Sequence, residues 1–121
     1  MNTLWKKTVF CDIDGTLIKH PLTPSDGLKA DKVTLLDGTL EKLDEWDKKG
    51  YNIILTTGRK ESMRPILEKQ LWEVGVYYDQ LVMGIGGGPR VLINDLKPNV
   101  EENMAIAINL KRNTGILNIT I

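Results

Sequence analysis

Two periods alternate along this chain. Thr8-Val9-Phe10-Cys11 is an apolar run that breaks into Asp12-Ile13-Asp14-Gly15-Thr16-Leu17. The run predicts a buried strand over about residues 7–12, and the Asp, Gly and Thr that follow predict a turn. Residues 18–37 hold no helical period, because Pro21 and Pro24 stand within four residues of each other. Leu17-Ile18 and Val33-Thr34-Leu35 are candidate arms of a hairpin there. Asp37-Gly38-Thr39 opens a helix over 39–49, with Leu40, Leu43 and Trp46 as its apolar stripe and Gly50 past its end. A buried strand follows at 51–55. Met63, Ile66-Leu67, Gln70-Leu71 and Val74 predict a second helix over 60–74, with Pro65 in its first turn and Gly75 as its stop. Further strands are expected at 77–83 and 90–95, separated by the glycine-rich loop Gly84–Pro89. Residues 104–110 alternate weakly and 116–121 alternate well, which predicts a fifth strand and a last one at an edge or an oligomer contact.

Strands alternating with helices predict an α/β fold. The expected architecture is a Rossmann-like three-layer sandwich, a mainly parallel sheet with helices on both faces. Residues 1–121 read as one domain, with 18–37 as a flap or small cap. There is no repeat or linker.

Composition narrows the function classes. Lys+Arg and Asp+Glu are both 16, so the net charge is zero and nothing argues for a nucleic-acid or membrane-surface partner. Hydrophobic residues at 41% and charged ones at 26% are ordinary for a soluble globular chain. The single cysteine, Cys11, lies in an apolar strand, as expected of a small buried hydrophobe in a reducing, cytoplasmic setting. No run is long enough to span a membrane.

The chemistry concentrates where the first strand ends. Open α/β sheets bind ligands at the carboxyl ends of their strands. Residues i and i+2 of an extended chain face the same way, so Asp12 and Asp14 can share one site. Two adjacent carboxylates repel unless a cation lies between them, and magnesium, a hard ion, prefers oxygen ligands. Asp12-Ile13-Asp14-Gly15-Thr16 resembles motif I of the haloacid dehalogenase (HAD) superfamily, DxDGT. The resemblance implies that Asp12 is a nucleophile towards phosphate and Asp14 a general acid/base.

The resemblance extends along the chain. Thr56, ending an apolar strand, resembles the hydroxyl residue of motif II, and Thr57-Gly58-Arg59 follows as TGR often does in that superfamily. A threonine hydroxyl can donate to a phosphoryl oxygen, and Arg59 can fork onto phosphate or carboxylate. Read alone, these residues would be a helix cap and an exposed arginine. Asp95 resembles the motif IV acid, so Asp12, Asp14 and Asp95 are expected to converge on one Mg2+. Asn94 stands where many members carry a second acid. No lysine lies between Gln70 and Lys97, so the motif III cation falls to Lys97 or Arg90. The sole histidine, His20, reads as a surface residue near motif I. The glycine-rich loop lacks the spacing of a nucleotide P-loop and is expected to pass close to the site.

The resemblance implies a magnesium-dependent phosphatase with a minimal cap, acting on a small phosphorylated metabolite through an aspartyl-phosphate. The overall look is closest to small members linked to capsule or lipopolysaccharide sugar pathways. A catalytically silent HAD-like binding protein is the rival, because Asn94 and the absent motif III lysine depart from the pattern. A phosphoacceptor receiver domain fits less well, because Met83-Gly84 stand where its acceptor aspartate would end the third strand. A homo-oligomer is one way to shield a capless site.

Overall fold

The computed structural model describes residues 5–21 and 32–121. Among the described residues, three strands and two helices form the frame. These are β1 (Thr8–Asp12), α1 (Thr39–Lys48), β2 (Asn52–Thr56), α2 (Arg64–Glu73) and β3 (Gln80–Val82). The strands form one parallel sheet in the order β1-β2-β3. Phe10 stands beside Ile54, and Asp12 beside Thr56. The central strand is buried at Ile53, Ile54 and Leu55 in succession, as a strand enclosed on both faces must be. Ile53 and Leu55 project together and join Cys11, Leu43, Trp46, Leu67 and Leu71 in the core. Trp46 is 2% exposed, which places it in the core as its helical spacing predicts.

Each helix begins where the sequence allows it to. Gly38 takes φ 84 immediately before α1, and Thr39 turns its hydroxyl back onto the Leu17 carbonyl at 2.7 Å. A 3-10 turn, Glu61–Met63, leads into α2, and Pro65 lies in the first turn of that helix, where its missing N–H costs nothing. The hairpin arms are present. Ile18 bridges Leu35 in antiparallel fashion, and the Lys19 N–H donates to the Thr34 carbonyl at 2.8 Å. The rest of the expected flap, residues 22–31, lies outside the described residues.

The second half of the chain departs from the predicted pattern. The third strand is only three residues long. Its expected lead-in is diverted because the Asp79 carboxylate accepts the Ile53 N–H at 2.7 Å, a bond that a longer strand would have made through its backbone. Residues 90–95 form no strand, and Val91 and Ile93 are 79% and 89% exposed. Residues 104–110 and 116–121 form none either. Their apolar alternation is spent differently. Ile116 is buried in the core, and the N–H groups of Ile116 and Leu117 both donate to the Asp37 carbonyl. The last segment therefore packs as a turn against the start of α1.

Candidate active site

The site lies where β1 and β2 end side by side. Asp12 is the last residue of β1 and Thr56 the last of β2, and they are direct neighbours in the register. Beyond Asp12 the chain turns tightly. Leu17 and Ile18 return their N–H groups to the Ile13 carbonyl, and Gly15 takes φ 86. This turn lifts Asp14 off the sheet and towards the end of β2.

Asp14 is held there by two side chains through three hydrogen bonds. The Arg59 guanidinium grips it as a fork, Nη2 to Oδ1 at 2.6 Å and Nε to Oδ2 at 2.9 Å. The Thr57 hydroxyl reaches Oδ2 at 3.4 Å and accepts the Arg59 N–H at 3.1 Å. Arg59 is anchored from behind by Gln70 of α2, whose side-chain carbonyl accepts from Nη1 at 3.4 Å. Thr57 and Gln70 are buried, and the Arg59 and Asp14 side chains are 9% and 14% exposed. A bidentate fork in so enclosed a place fixes both position and orientation.

Asp12 is the open member of the pair. Its Oδ2 accepts a long bond from the Thr16 hydroxyl, at 3.4 Å. Partial desolvation raises its pKa above the usual carboxylate range, and the neighbouring charge of Asp14 raises it further, while Thr16 and the positive charge of Arg90 pull the other way. Behind it, burial and the charge of Asp12 push the Cys11 thiol up to about 12, so Cys11 is inert packing.

Several sequence-predicted residues stand elsewhere than expected. Thr57, Gly58 and Arg59 border the site, and Thr57 and Arg59 are engaged with Asp14. Gly58 meets the glycine-rich loop, where a Cβ would lie 2.7 Å from the Gly86 carbonyl oxygen. That loop passes close to the site as anticipated, with the Gly84 N–H on the Arg59 carbonyl. Arg90 folds onto the same loop, donating to the carbonyls of Gly86 and Gly88. Asp95 does not join Asp12 and Asp14, since among the described residues no three His, Cys, Asp or Glu side chains come together as a metal cage. The reason is the missing strand at 90–95, without which nothing carries Asp95 to the rim. Its charge is met instead by Lys97, at 2.7 Å, which holds the Asp95 carboxyl below its ordinary range.

Three residues escaped sequence reading. Gln70 was counted on an apolar stripe, where a polar side chain was itself the signal. Arg112 and Asn113 lie far along the chain. The Asn113 N–H donates to the Gly15 carbonyl at 2.8 Å, and its side-chain oxygen accepts the His20 N–H at 2.8 Å. No local pattern in Asn113-Thr114-Gly115 reports that it docks on motif I.

The sequence pattern of the haloacid dehalogenase-like hydrolase family matches residues 9–79, more than half of the chain and including both strand ends of the site. The chain belongs to that family. Among solved structures, a chain of the Pnkp1/Rnl/Hen1 complex is similar with a TM-score of 0.59 and 31% identity. The match covers 74% of the present chain and 32% of that one, so this HAD chain spans about a third of that relative's length. A structural-genomics target from Vibrio cholerae shares the fold at a TM-score of 0.53 and 24% identity, covering 76% of this chain and 84% of its own. No curated protein matches the chain. The HAD match ends before residue 80, so the irregular second half lies outside it. Among the described residues no helix is long and apolar enough to cross a membrane.

Proposed function

We propose that the chain is a phosphatase that hydrolyses a phosphate monoester of a small metabolite through a covalent intermediate on Asp12. The observation that supports this most directly is the division of labour between two neighbouring carboxylates. Asp12 is open, and Asp14 is locked by Arg59 and Thr57. A nucleophile must be free to reach phosphorus, and a general acid/base must be held at a fixed angle to the bond that breaks.

The open Asp12 carboxylate and the backbone carbonyl of Asp14 suit a hard cation, the Asp14 side chain being held by Arg59. Magnesium is held by one or two carboxylates, with waters and substrate phosphate completing its shell, so a full protein cage is unnecessary. When bound, it supplies the positive charge that lets an anionic carboxylate approach an anionic ester. The Asp12 oxygen forms the bond to phosphorus as the bond to the alcohol oxygen breaks, and the alcohol oxygen takes its proton from Asp14, which must first open its fork with Arg59 and bind a proton, because the fork favours its charged form. Asp14 then takes a proton from the water that cleaves the acyl phosphate. Thr56, beside Asp12 in the register, can donate its hydroxyl to a phosphoryl oxygen. Arg90 contributes positive charge towards Asp12. A catalytically silent binding protein of the same family is the second reading, favoured by the lack of a third acid beside Asp12 and Asp14 among the described residues.

The test is a hydrolysis screen over sugar phosphates and nucleotides with and without magnesium, alongside Asp12→Asn. Magnesium-dependent phosphate release that Asp12→Asn abolishes supports the proposal. Phosphate binding without turnover on any substrate favours the silent protein.

A further inference from the structure

Asp14 cannot serve an alcohol oxygen while both of its own oxygens are held by Arg59, so the fork must open in each turnover. Parting an ion pair in so enclosed a place is costly unless each charge keeps another partner. Each has one. The Thr57 hydroxyl reaches Asp14 Oδ2 at 3.4 Å, and the Gln70 side-chain carbonyl accepts from Arg59 Nη1 at 3.4 Å. Both partners are neutral, and they are buried at 1% and 3% exposed. The guanidinium therefore has all three of its nitrogens engaged, Nε and Nη2 on Asp14 and Nη1 on Gln70.

Packing alone does not call for Gln70. The buried residues of α2 are Leu67, Gln70 and Leu71, so the amide stands in a core-facing position that a third leucine would fill. A buried amide is unfavourable there unless its hydrogen bonds are made. The helix is also fastened to the sheet elsewhere, since Arg64 at its start donates to the Leu81 carbonyl at 2.9 Å.

We propose that Gln70 is a positioning residue that keeps the Arg59 guanidinium docked on α2 while the fork to Asp14 opens and closes. This rests on the phosphatase reading above. With Nη1 still bonded, the guanidinium swings about one fixed point and returns to the same fork, so Asp14 recovers its orientation for the next turnover. A neutral acceptor suits this task. A carboxylate in its place would compete with Asp14 for the guanidinium and hold the fork open.

The test uses the full chain with magnesium and separates kcat from KM in the hydrolysis of an aryl phosphate. Gln70→Leu and Gln70→Met keep bulk on the buried stripe and remove the acceptor. Each is expected to lower kcat by roughly 10- to 100-fold, the loss of a hydrogen bond to a charged group, with KM unchanged. A residue that acts through Arg59 has nothing left to position once the fork is lost. In an Arg59→Lys background, either substitution should therefore leave kcat where Arg59→Lys alone puts it. Wild-type kcat in Gln70→Leu or Gln70→Met, or a loss that multiplies with that of Arg59→Lys, overturns the role of Gln70 and leaves the phosphatase reading standing. A wild-type protein that hydrolyses no ester overturns the phosphatase reading and this role with it.

Discussion

Arg59 and Asp14 form a two-point fork, at 2.6 and 2.9 Å, between side chains that are 9% and 14% exposed. The arginine sits three residues past the end of β2 and the aspartate two past the end of β1, so the fork ties together the two strand ends that make the site. Its value lies in geometry, because a single point charge would leave the carboxylate free to rotate.

Arg59→Lys is therefore expected to lower turnover by roughly 100-fold, the scale of a misplaced catalytic group, with a smaller change in KM. Arg59→Ala leaves an enclosed carboxylate without its partner and should cost about 3 kcal/mol of stability. Single-turnover kinetics and chemical denaturation read the two effects separately. Wild-type turnover in Arg59→Lys would show that one charge suffices.

Asp12 is expected to shape the response to pH. Its raised pKa means that the nucleophile protonates at a higher pH than an ordinary carboxylate, so the acid limb of the rate profile should lie above the usual aspartate range of about 4. Saturating magnesium should move that limb down, because a cation favours the charged form. The linkage has a definite sign. The folded chain takes up this proton more readily than the unfolded one. The stability contribution of Asp12 is thus fully present below its unfolded pKa and is lost as pH rises through the folded value. Asp12→Asn should therefore melt higher than wild type at pH 7, by roughly 1–4 °C, and the gap should close on acidification. A lower melting temperature for Asp12→Asn at pH 7 would contradict the cause assigned to the shift.

The first two strands and both helices were legible in the sequence because each signal there was local. Apolar runs gave β1 and β2, and Leu43, Trp46, Leu67 and Leu71 fell on helical stripes that are now buried. Asp12, Asp14, Thr57 and Arg59 were legible as a group because each follows directly from a strand end. The second half was not. Alternation in 116–121 reads as a strand, but Ile116 is consumed by the core and its N–H by Asp37. Val91, Leu92 and Ile93 have the composition of a strand, but pairing depends on a partner edge that composition does not contain. The contact between Asn113 and Gly15 joins residues too far apart in sequence for any local pattern to report.

The exposed stretch 90–95 makes its own prediction. With Val91 and Ile93 largely in solvent and no strand formed, its amides should exchange with deuterium at unprotected rates, while those of Ile53 and Leu55 in the central strand exchange slowly. Hydrogen-exchange mass spectrometry on the free protein measures both. Slow exchange across 91–95 would mean a fourth strand on the sheet and would return Asp95 to the rim beside Asp12.

The last expectation concerns how the far end of the chain reaches the site. Gly38 has φ 84 and lies under Leu117, so a Cβ there would overlap the backbone nitrogen and Cα of Leu117. Gly38→Ala therefore meets two costs together, a left-handed backbone that alanine resists and a clash with main chain that no rotamer change can relieve. The turn at 116–118 must move, and it is linked through Ile116 and Gly115 to Asn113, whose N–H holds the Gly15 carbonyl of the motif I turn. Gly38→Ala should then destabilise the fold by roughly 1–3 kcal/mol and also weaken phosphate binding, although Gly38 touches no site residue. Gly50→Ala is the control, since it also has positive φ but only the flexible Lys6 side chain nearby, at 3.6 Å. It should lose stability and leave phosphate affinity unchanged. Equal effects of the two variants on phosphate affinity would mean that the Leu117 contact does not position the turn that docks Asn113 on Gly15.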